Sequence, residues 1–404
     1  MNAKEKIVPQ RRFKKFKNGD DWEQRKLCNI VTNISDGDWI ESEHIFNDGE
    51  YRIIQTGNLG EGIYLDKTNS AKFFYQKDFN QLNANEIFPG DILISRLAEP
   101  AGRTIILPNT GKRMVTSVDV TVIRPDDQNF DSMFLMTQMN SSKVLNEVNK
   151  SVSGTTHKRI SRKNLEQIDL YVPHLAEQTV IGAFFKQIDN IIVLQKNKLD
   201  KLKELKLAYL SEMFPAEGEL KPKRRFAGFT DDWEQRKVRE LFTVTRGQVL
   251  AATKTKDKET DEFIYPVYSS QTKNNGLMGF YNQYLFENAI TWTTDGANAG
   301  TVNFRKGKFY STNVNGVLLS DKGYANKAIS EIINKIAWKH VSKVGNPKLM
   351  NNIMSEITIM IPSIEELNKI SILFNQIDNT IALHQHKLEK LKNIKQAYLN
   401  ELFV

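Results

Sequence analysis

The sequence predicts a mixed α/β protein built from two tandem copies of one unit, each with a curled mixed sheet and a long helix. The heptapeptide DDWEQRK occurs at residues 20–26 and again at residues 231–237. Residues 185–214 and 374–403 match at 18 of 30 positions. Between the matched segments, short β-rich runs such as DILIS, TIIL and VTVI are separated by Gly, Pro and Asn, which is typical of strands and turns. Matched segments that recur on either side of dissimilar central regions therefore indicate two copies of one folding unit.

Composition permits ordinary globular domains and excludes several classes of protein. Of the 404 residues 40% are hydrophobic, mean hydropathy is −0.46, and no apolar run reaches the roughly 20 residues of a membrane span. The basic N-terminus lacks an apolar core, so a secretory signal is not expected. Cys28 is the only cysteine, which excludes a disulfide framework and a multi-cysteine zinc site and fits a reducing cytoplasm. A net charge of +8 favours an anionic partner only weakly.

The repeated segments divide the chain. RRFKKF at residues 11–16 matches RRFAGF at residues 224–229, ahead of each heptapeptide. A plain duplication with drifted loops is the simpler explanation, but drift would also have eroded the frame. The expected divisions are a basic N-terminal arm (1–19), a first variable domain (20–173), a first conserved helix (174–214), a linker (215–230), a second variable domain (231–362) and a second conserved helix (363–404).

The repeated heptapeptide is predicted to be structural. Its acidic residues are poor groups for contacting phosphate. Trp22 and Trp233 are predicted to anchor the start of each domain against its own core. The heptapeptide therefore marks where each variable domain begins.

The two variable regions, residues 27–172 and 238–361, follow a similar order of elements. PAGRTIIL in the first and NAGTVNF in the second are predicted to be versions of one strand-turn-strand element. A helix is expected at residues 133–149 in the first region and at residues 324–340 in the second. The regions are therefore predicted to share one fold with different loops.

The matched 30-residue segments are predicted to be long helices that pair with each other. Apolar residues recur at spacings of three, four and seven. This stripe is predicted to include Leu205 and Ile394, with Lys206 on the opposite, lysine-rich face. Thirty residues span about 45 Å, and so narrow a stripe needs a partner helix. The predicted seam comprises Ile188, Ile192, Gln195, Leu199, Leu202 and Tyr209 with Ile377, Ile381, His384, Leu388, Leu391 and Tyr398.

Antiparallel packing of the two helices would give a pseudo-two-fold symmetric coiled-coil spacer between the domains. One seam position is polar in both copies, Gln195 and His384. Because equivalent mid-helix residues meet near a local two-fold axis, these side chains are predicted to approach each other and help set the helix register. Two solvent-tolerant edges of the seam explain the pattern equally well.

The loops of both variable regions carry the residue types that recognise base edges in DNA. Arg and Lys suit guanine, Asn and Gln suit adenine, and Ser and Thr suit either. Surface solvation is the ordinary role of any single one, and only the group around the turns favours recognition. The candidates of the first region are Gln55, Thr56, Asn58, Arg96, Arg103, Lys112, Arg113, Lys158 and Arg159. Those of the second are Ser269, Ser270, Gln271, Lys273, Asn274, Asn275, Arg305, Lys306 and Lys348.

Signatures of catalysis are missing from the sequence. It has no GxxxxGK[ST] phosphate loop, no Gly-rich dinucleotide fingerprint and no HExxH metal motif. The Asn/Asp-Pro-Pro-aromatic signature of amino-methyltransferases does not occur, and Asp295 in TTDGANAG is better explained by a turn than by a metal. The chain is therefore predicted to be non-catalytic, with no catalytic residue, metal site or cofactor of its own.

The layout resembles the specificity (S) subunit of Type I restriction–modification systems. The resemblance covers nearly the whole chain. It is carried by the RRF…DDWEQRK motif before each variable region, the GDILISR…PAG and YPVYSS…DGANAG blocks, and the EQ…FxQID helices. No single motif is as specific as a catalytic signature, but their order occurs twice.

The resemblance implies a function for each part. Each variable domain would be a target recognition domain that reads one half of an asymmetric, bipartite site in double-stranded DNA. The paired helices would be a spacer and a docking surface for two modification (methyltransferase) subunits, which bring S-adenosylmethionine and methylate adenine. Restriction subunits, with ATP-driven translocation and a Mg-dependent nuclease, would join that core. The alternatives are a DNA-processing enzyme with divergent motifs and a coiled-coil scaffold without base readout.

Overall fold

The computed structural model describes residues 7–97, 99–154, 158–270 and 273–404, apart from the side chain of Lys273. In these ranges the chain has a mixed α/β fold with two tandem domains and two long helices. It divides into two compact bodies. The first body is Met1–Gln195 with Lys387–Val404, and the second body is Lys196–His386.

The first domain is built on two four-stranded sheets and a closing strand pair. Its strands are β1 (Glu23–Lys26), β2 (Ile34–Asp36), β3 (Tyr51–Ile54), β4 (Lys72–Phe74), β5 (Glu86–Ile87), β6 (Ile92–Ser95), β7 (Thr104–Ile106), β8 (Arg113–Thr116), β9 (Val120–Ile123) and β10 (Asp169–Val172). The sheet orders are β2-β9-β6-β7 and β4-β3-β8-β5, and β1 pairs with β10. Every residue of β3, β6 and β9 is buried, so these strands form the centre of the domain.

The helices of the first domain are short, and one long helix follows them. They are α1 (Gln76–Leu82), α2 (Ser132–Met139), α3 (Ser142–Lys150), α4 (Arg162–Glu166) and the long α5 (Leu175–Glu212). The single helix expected at residues 133–149 is wrong in one respect, because α2 ends before Asn140. Ser141 then caps α3 by accepting from the N–H of Val144 at 3.4 Å, and a new helix begins.

The second domain has one six-stranded sheet in place of the two four-stranded sheets. Its strands are β11 (Glu234–Lys237), β12 (Thr243–Arg246), β13 (Tyr265–Tyr268), β14 (Leu277–Tyr281), β15 (Phe286–Thr293), β16 (Val302–Ser311), β17 (Asn315–Leu319) and β18 (Thr358–Ile361). The sheet order is β12-β17-β15-β16-β13-β14, and β11 pairs with β18. The helices are α6 (Val238–Leu241), α7 (Lys327–Ala337), α8 (Asn351–Glu356) and the long α9 (Ile364–Leu402).

One interrupted strand explains why the two domains differ in sheet number. The ten residues of β16 run unbroken, whereas β7 and β8 are separated by the loop 107–112. Pro108 in that loop has no N–H to donate to a strand ladder, and Gly111 has a φ of +72°. The strand is therefore interrupted in the first domain, whereas in the second it continues through a bulge at Gly307, where φ is +74°.

The strand-turn-strand element predicted in both regions is confirmed. The N–H of Gly102 donates to Ser95 O at 2.8 Å, and the N–H of Gly300 donates to Thr293 O at 2.9 Å. Both glycines have positive φ values, +91° and +86°, which a residue with a Cβ rarely adopts. The two domains thus share this turn down to its hydrogen bonds.

The repeated heptapeptide closes each domain at its base. Its EQRK portion forms β1 or β11 and pairs antiparallel with the strand that precedes the long helix. Trp22 and Trp233 are each 2% exposed, which confirms their predicted role as core anchors. Trp22 packs edge-on against Phe134 at 5.8 Å between ring centroids, and Trp233 against Phe214 at 6.2 Å.

The second arginine of each RRF motif clamps the first turn of a long helix. Arg12 donates to both carboxylate oxygens of Glu177 at 2.7 and 2.6 Å. Arg225 donates to both oxygens of Glu366 at 2.8 and 2.6 Å. The glutamates are 2% and 1% exposed, and their hydrogen bonds raise the pKa of both arginines above the ordinary value. A bidentate pair of this kind fixes direction as well as distance.

The first arginine of each RRF motif reaches the end of the other long helix. Arg11 pairs with Glu401 at 2.5 Å, and Arg224 pairs with Glu212 at 2.6 Å. In both cases the arginine backbone N–H also donates to the carbonyl of the same glutamate at 2.8 Å. Each RRF motif therefore ties together one helix start and one helix end within its own body.

In the first body, α5 pairs with the end of α9. Phe184 packs edge-on against Tyr398 at 4.9 Å between centroids, and Lys395 donates to Asp189 at 2.6 Å. Residue numbers rise on α5 while they fall on α9, so the two segments are antiparallel.

The second body repeats this arrangement. Lys206 pairs with Asp378 at 2.7 Å, and Phe214 stacks on Phe374 at 5.6 Å. Burial raises the pKa of Asp378, but hydrogen bonds from Lys206 and Lys327 outweigh burial, so its pKa lies below the usual range. Lysine and aspartate thus occupy equivalent pairing positions in both bodies.

The predicted seam needs one correction. Leu205 and Ile394 are 41% and 37% exposed, while the side chain of Lys206 is only 22% exposed. The residues that face the partner helix are 202, 206 and 209, at spacings of four and then three. Leu205 therefore lies on the outward face of the helix. Lys206 and its equivalent Lys395 are therefore polar positions in the seam.

The other seam residues follow the prediction in burial. Ile188, Leu199 and Ile377 are buried, and Ile192, Leu202, Tyr209, Ile381, Leu388, Leu391 and Tyr398 are half-buried. Gln195 belongs to the first body and His384 to the second. Their approach stays a prediction.

We expect Arg225→Ala to lower the free energy of unfolding by about 3–5 kcal/mol, because Glu366 would stay buried without its partner. Chemical denaturation of the purified chain measures this change. Arg224→Ala is the matched control. The side chains of Arg224 and Glu212 are 56% and 38% exposed, so we expect a loss of at most about 1 kcal/mol. Equal losses from the two variants would contradict the clamp.

Candidate nucleic-acid interface

Each domain carries a tight turn at the equivalent place in its strand order. In the first domain the turn 117–120 joins β8 to β9, and the N–H of Val120 donates to Ser117 O at 2.9 Å. In the second domain the turn 312–315 joins β16 to β17, and the N–H of Asn315 donates to Thr312 O at 3.1 Å. These two turns are equivalent positions of the repeat.

A polar loop lies beside each turn. The N–H of Ser117 donates to Ile54 O at 3.1 Å, at the end of β3. The N–H of Thr312 donates to Tyr268 O at 2.9 Å, at the end of β13. The loops that follow these strands, beginning at Gln55 and at Ser269, are therefore held against the turns.

A second set of backbone hydrogen bonds places a basic residue on the other side of each turn. In the first domain Arg96 N–H donates to Asp119 O at 2.8 Å, and Ile160 N–H donates to Arg96 O at 3.0 Å. In the second domain the same two bonds join Thr294 to Val314 at 3.1 Å and Leu349 to Thr294 at 2.8 Å. The residues before Ile160 and Leu349, Arg159 and Lys348, are thereby placed beside the turns.

These residues define two equivalent surfaces, which we name the readout edges. Trp39 and Val249 belong to them, because the residue before each forms a bridge to the turn, at Ser117 and at Thr312. The backbone bonds of the two turns and of their bridges match, the polar loops beside them fold differently, and the side chains differ at every equivalent position. The first readout edge comprises Trp39, Gln55, Thr56, Asp119 and Arg159. The second readout edge comprises Val249, Ser269, Ser270, Val314 and Lys348.

Several of the predicted DNA-binding residues come together at the edges. Gln55 and Arg159 are exposed and Thr56 is half-buried at the first edge. At the second edge Ser269 and Ser270 are half-buried and Lys348 is exposed, while Asn274 and Asn275 are exposed further along the loop that follows β13. Asn274 and Asn275 adopt left-handed backbone conformations, with φ values of +51° and +53°. Gln271 and the side chain of Lys273 lie outside the described residues.

Three predicted residues are buried, which argues against contact with a base. Asn58 is 4% exposed; it accepts from the N–H of Gln55 at 3.0 Å and donates to Leu65 O at 2.9 Å, so it shapes the polar loop. Arg96 is 5% exposed, donates to the carbonyl of Val118 and lies 3.3 Å from a carboxylate oxygen of Asp36. Desolvation lowers the pKa of Arg96.

The third buried residue, Arg305, supports the loop of the second edge from below. It is 7% exposed and lies 3.8 Å from the ring centre of Tyr268. It donates to Asn275 O at 2.7 Å and to Thr291 Oγ1 at 3.1 Å. Desolvation lowers its pKa to about 10, so it is still a cation at neutral pH. The prediction of a base contact at Arg305 is replaced by a structural role.

The remaining candidates lie away from the edges or are held by neighbours. Arg113 begins β8, at the end remote from the turn, and donates to both oxygens of Glu86 at 3.0 and 2.6 Å. Lys158 pairs with Glu99 at 3.0 Å. Arg103 is half-buried, Lys112 lies over the ring of Phe73, and Lys306 is exposed in the middle of β16.

Sequence reasoning missed the two apolar members of the edges. Trp39 is 71% exposed and Val249 is 79% exposed. Both follow a glycine by two residues, in GDW and in GQV. In both repeats that glycine comes directly after a short strand, so aligning the repeats on the glycine identifies the position from the sequence.

Two further features are missing from the part of the chain that the structure describes. Within it, no group of three or more His, Cys, Asp or Glu side chains could hold a metal ion. Nor does any helix among the described residues have the length and apolarity to cross a membrane.

Comparison with known proteins identifies the fold's family. A family model described as the Type I restriction modification DNA specificity domain matches residues 19–204 and 230–393, most of the chain. The chain belongs to this family. Proteins of this family are non-catalytic targeting subunits rather than enzymes.

Individual relatives agree with the assignment. The specificity subunit of the Type I restriction enzyme MpnII from Mycoplasma pneumoniae is 32% identical over 155 residues, which are 37% of this chain and 46% of that one. The specificity subunit of the Type I restriction enzyme MjaVIII from Methanocaldococcus jannaschii is 25% identical over 207 residues, which are 50% of this chain and 48% of that one. The matched stretches thus span about half the length of these relatives.

One solved structure is similar over the whole chain. It is the S subunit of a Type I restriction-modification system from M. genitalium. The structural alignment covers 98% of this chain and 99% of that one, with a TM-score of 0.73. Sequence identity is 15%, so this likeness establishes the fold alone.

We expect Arg305→Ala to lower the free energy of unfolding by about 2–3 kcal/mol, because it leaves the buried hydroxyl of Thr291 without this donor and removes the contact with the Tyr268 ring. Lys306→Ala, at the exposed neighbouring position, should change it by no more than about 0.5 kcal/mol. Denaturant titration of both variants makes the comparison. If they unfold at the same midpoint, the structural role of Arg305 is wrong.

Proposed function

We propose that the chain reads an asymmetric, bipartite site in double-stranded DNA, with one domain on each half-site. The observation that supports this is the pair of readout edges, which have equivalent backbone bonds at their turns and different side chains. Base edges are read by side-chain hydrogen bonds and apolar contacts, so different side chains on one scaffold give two different half-sites. Family membership supports the same reading.

The partners belong to the proposal as well. We infer that the frame docks two modification subunits, which methylate adenine with S-adenosylmethionine, and through them restriction subunits that use ATP and Mg. The frame is repeated in both bodies, as the docking of two identical subunits requires. The chain itself binds none of these cofactors in this proposal, and the complex would work in the cytoplasm.

Mapping methylated adenines in the host genome tests the proposal directly. We expect one asymmetric sequence in two parts, separated by unread bases, and loss of its methylation when this chain is deleted. Methyl transfer by the purified chain alone would favour a DNA-processing enzyme instead. Unchanged methylation after deletion would favour a scaffold without base readout.

Replacement of residues 27–172 by the equivalent region of another specificity subunit should change one half-site only. The reason is that each readout edge is formed entirely within its own body. Methylation mapping in cells that carry the hybrid gives both half-sites at once. As a control, replacing residues 238–361 should change the other half-site. A hybrid that alters both half-sites would refute modular reading.

The long helices are proposed to set the gap between the half-sites. Deleting residues 196–202 together with residues 385–391 removes one heptad from each helix and keeps the seam in register. Seven residues are about 10 Å of helix, or about three base pairs at roughly 3.4 Å each, so the preferred gap should shorten. Binding to duplexes of graded gap length measures this. An unshifted preference would remove the spacer role.

A further inference from the structure

Both readout edges present one large apolar side chain to solvent at the same backbone position. Trp39 is 71% exposed in the first domain, and Val249 is 79% exposed in the second. The residue just before each of them forms a parallel bridge to the edge turn, at Ser117 and at Thr312. A single exposed apolar residue is ordinary on a protein surface, but the same exposure at equivalent positions of both repeats needs a cause.

The backbone at this position is tightly constrained in both domains. The N–H of Gly37 donates to Val120 O at 2.9 Å, and the N–H of Gly247 donates to Asn315 O at 3.1 Å. A Cβ on either glycine would lie 2.2 Å from a backbone carbonyl oxygen. The close contact leaves the backbone only one path past the turn. This path exposes the apolar residue that lies two positions after the glycine.

The surroundings of each apolar residue are polar. Gln55 lies beside the turn at the first edge, and Ser269 lies beside it at the second; both offer hydrogen bonds. The carboxylate of Asp38, next to Trp39, accepts from Asn85 at 2.7 and 2.8 Å. An apolar group amid hydrogen-bonding groups matches the major groove, where the thymine C5-methyl is the apolar feature among donors and acceptors.

The difference between the two residues favours DNA over a partner protein. Two copies of one partner subunit would meet equivalent surfaces, and the chain has such surfaces: the EQRK strands at residues 23–26 and 234–237 are largely exposed and identical in the two repeats. At this position it carries a tryptophan in one repeat and a valine in the other. A surface that differs between repeats suits two different half-sites.

We propose that Trp39 and Val249 are specificity-determining residues, each packing against a thymine methyl group in its own half-site. The assignment rests on the proposed function, since it needs the edges to enter the major groove. It adds apolar readout to the hydrogen-bonding readout expected from the loops.

The test uses the complex of the chain with its modification subunits and a duplex that carries the mapped site. Each thymine of the half-sites is replaced in turn by deoxyuridine, which removes one methyl group and leaves the hydrogen bonds unchanged. We expect wild-type affinity to fall about 4-fold at one thymine in each half-site, the effect of one buried methyl group. Trp39→Ala should abolish this discrimination in one half-site and Val249→Ala in the other.

The control is Phe88→Ala, an apolar residue that is 52% exposed and precedes β6 at the end remote from the turn. It should keep both thymine preferences. Thymine preferences that persist in Trp39→Ala and Val249→Ala, or that are missing in the wild type, would overturn the assignment. So would weakened assembly with the modification subunits at unchanged thymine preference, which would identify a protein contact. A wild-type complex that binds the mapped site no better than a scrambled duplex would overturn the proposed function itself.

Discussion

The buried arginine–glutamate pair at the start of each long helix is the interaction on which the rest of the structure depends. Glu177 and Glu366 are almost fully enclosed, so each needs its arginine in one bidentate geometry. Buried ion pairs of this type contribute little net stability over apolar packing, because desolvation offsets their attraction. Their value is positional: the direction of the helix is fixed relative to the strand that closes the domain.

That constraint distinguishes the residues that maintain the fold from the residues that differ between the two repeats. The RRF motif, the buried tryptophan and the closing strand recur in both bodies with the same partners. The readout edges recur only in their backbone bonds, for example the bond from Arg96 to Asp119 and its equivalent from Thr294 to Val314. Backbone bonds do not specify side chains, so a stable frame can carry two unrelated sets of side chains at its edges.

The internal repeat allowed the architecture to be predicted from the sequence. The burial of individual residues could not be predicted in the same way. Two long helices and two anchored domains follow from exact matches such as DDWEQRK. The outward turn of Leu205 was missed because steps of three and four alternate along a seam, and one wrong step moves the stripe to the next residue. Arg305 was misjudged for another reason. The sequence of a β-rich segment does not show whether an arginine faces solvent or packs under a loop, and Arg305 packs against Tyr268.

The charge of the edges bears on how they would meet DNA. At the first edge Arg159 pairs with Asp119 at 2.6 Å, and at the second Lys348 lies 3.7 Å from Asp295. Paired cations attract phosphate weakly, and phosphate contacts supply affinity more than sequence preference. The cation of each named edge is therefore partly neutralised by a neighbouring carboxylate. On the proposed function, edges with paired cations and varied hydrogen-bonding and apolar groups would distinguish bases, and attraction to the DNA backbone would fall to other surfaces of the proposed complex.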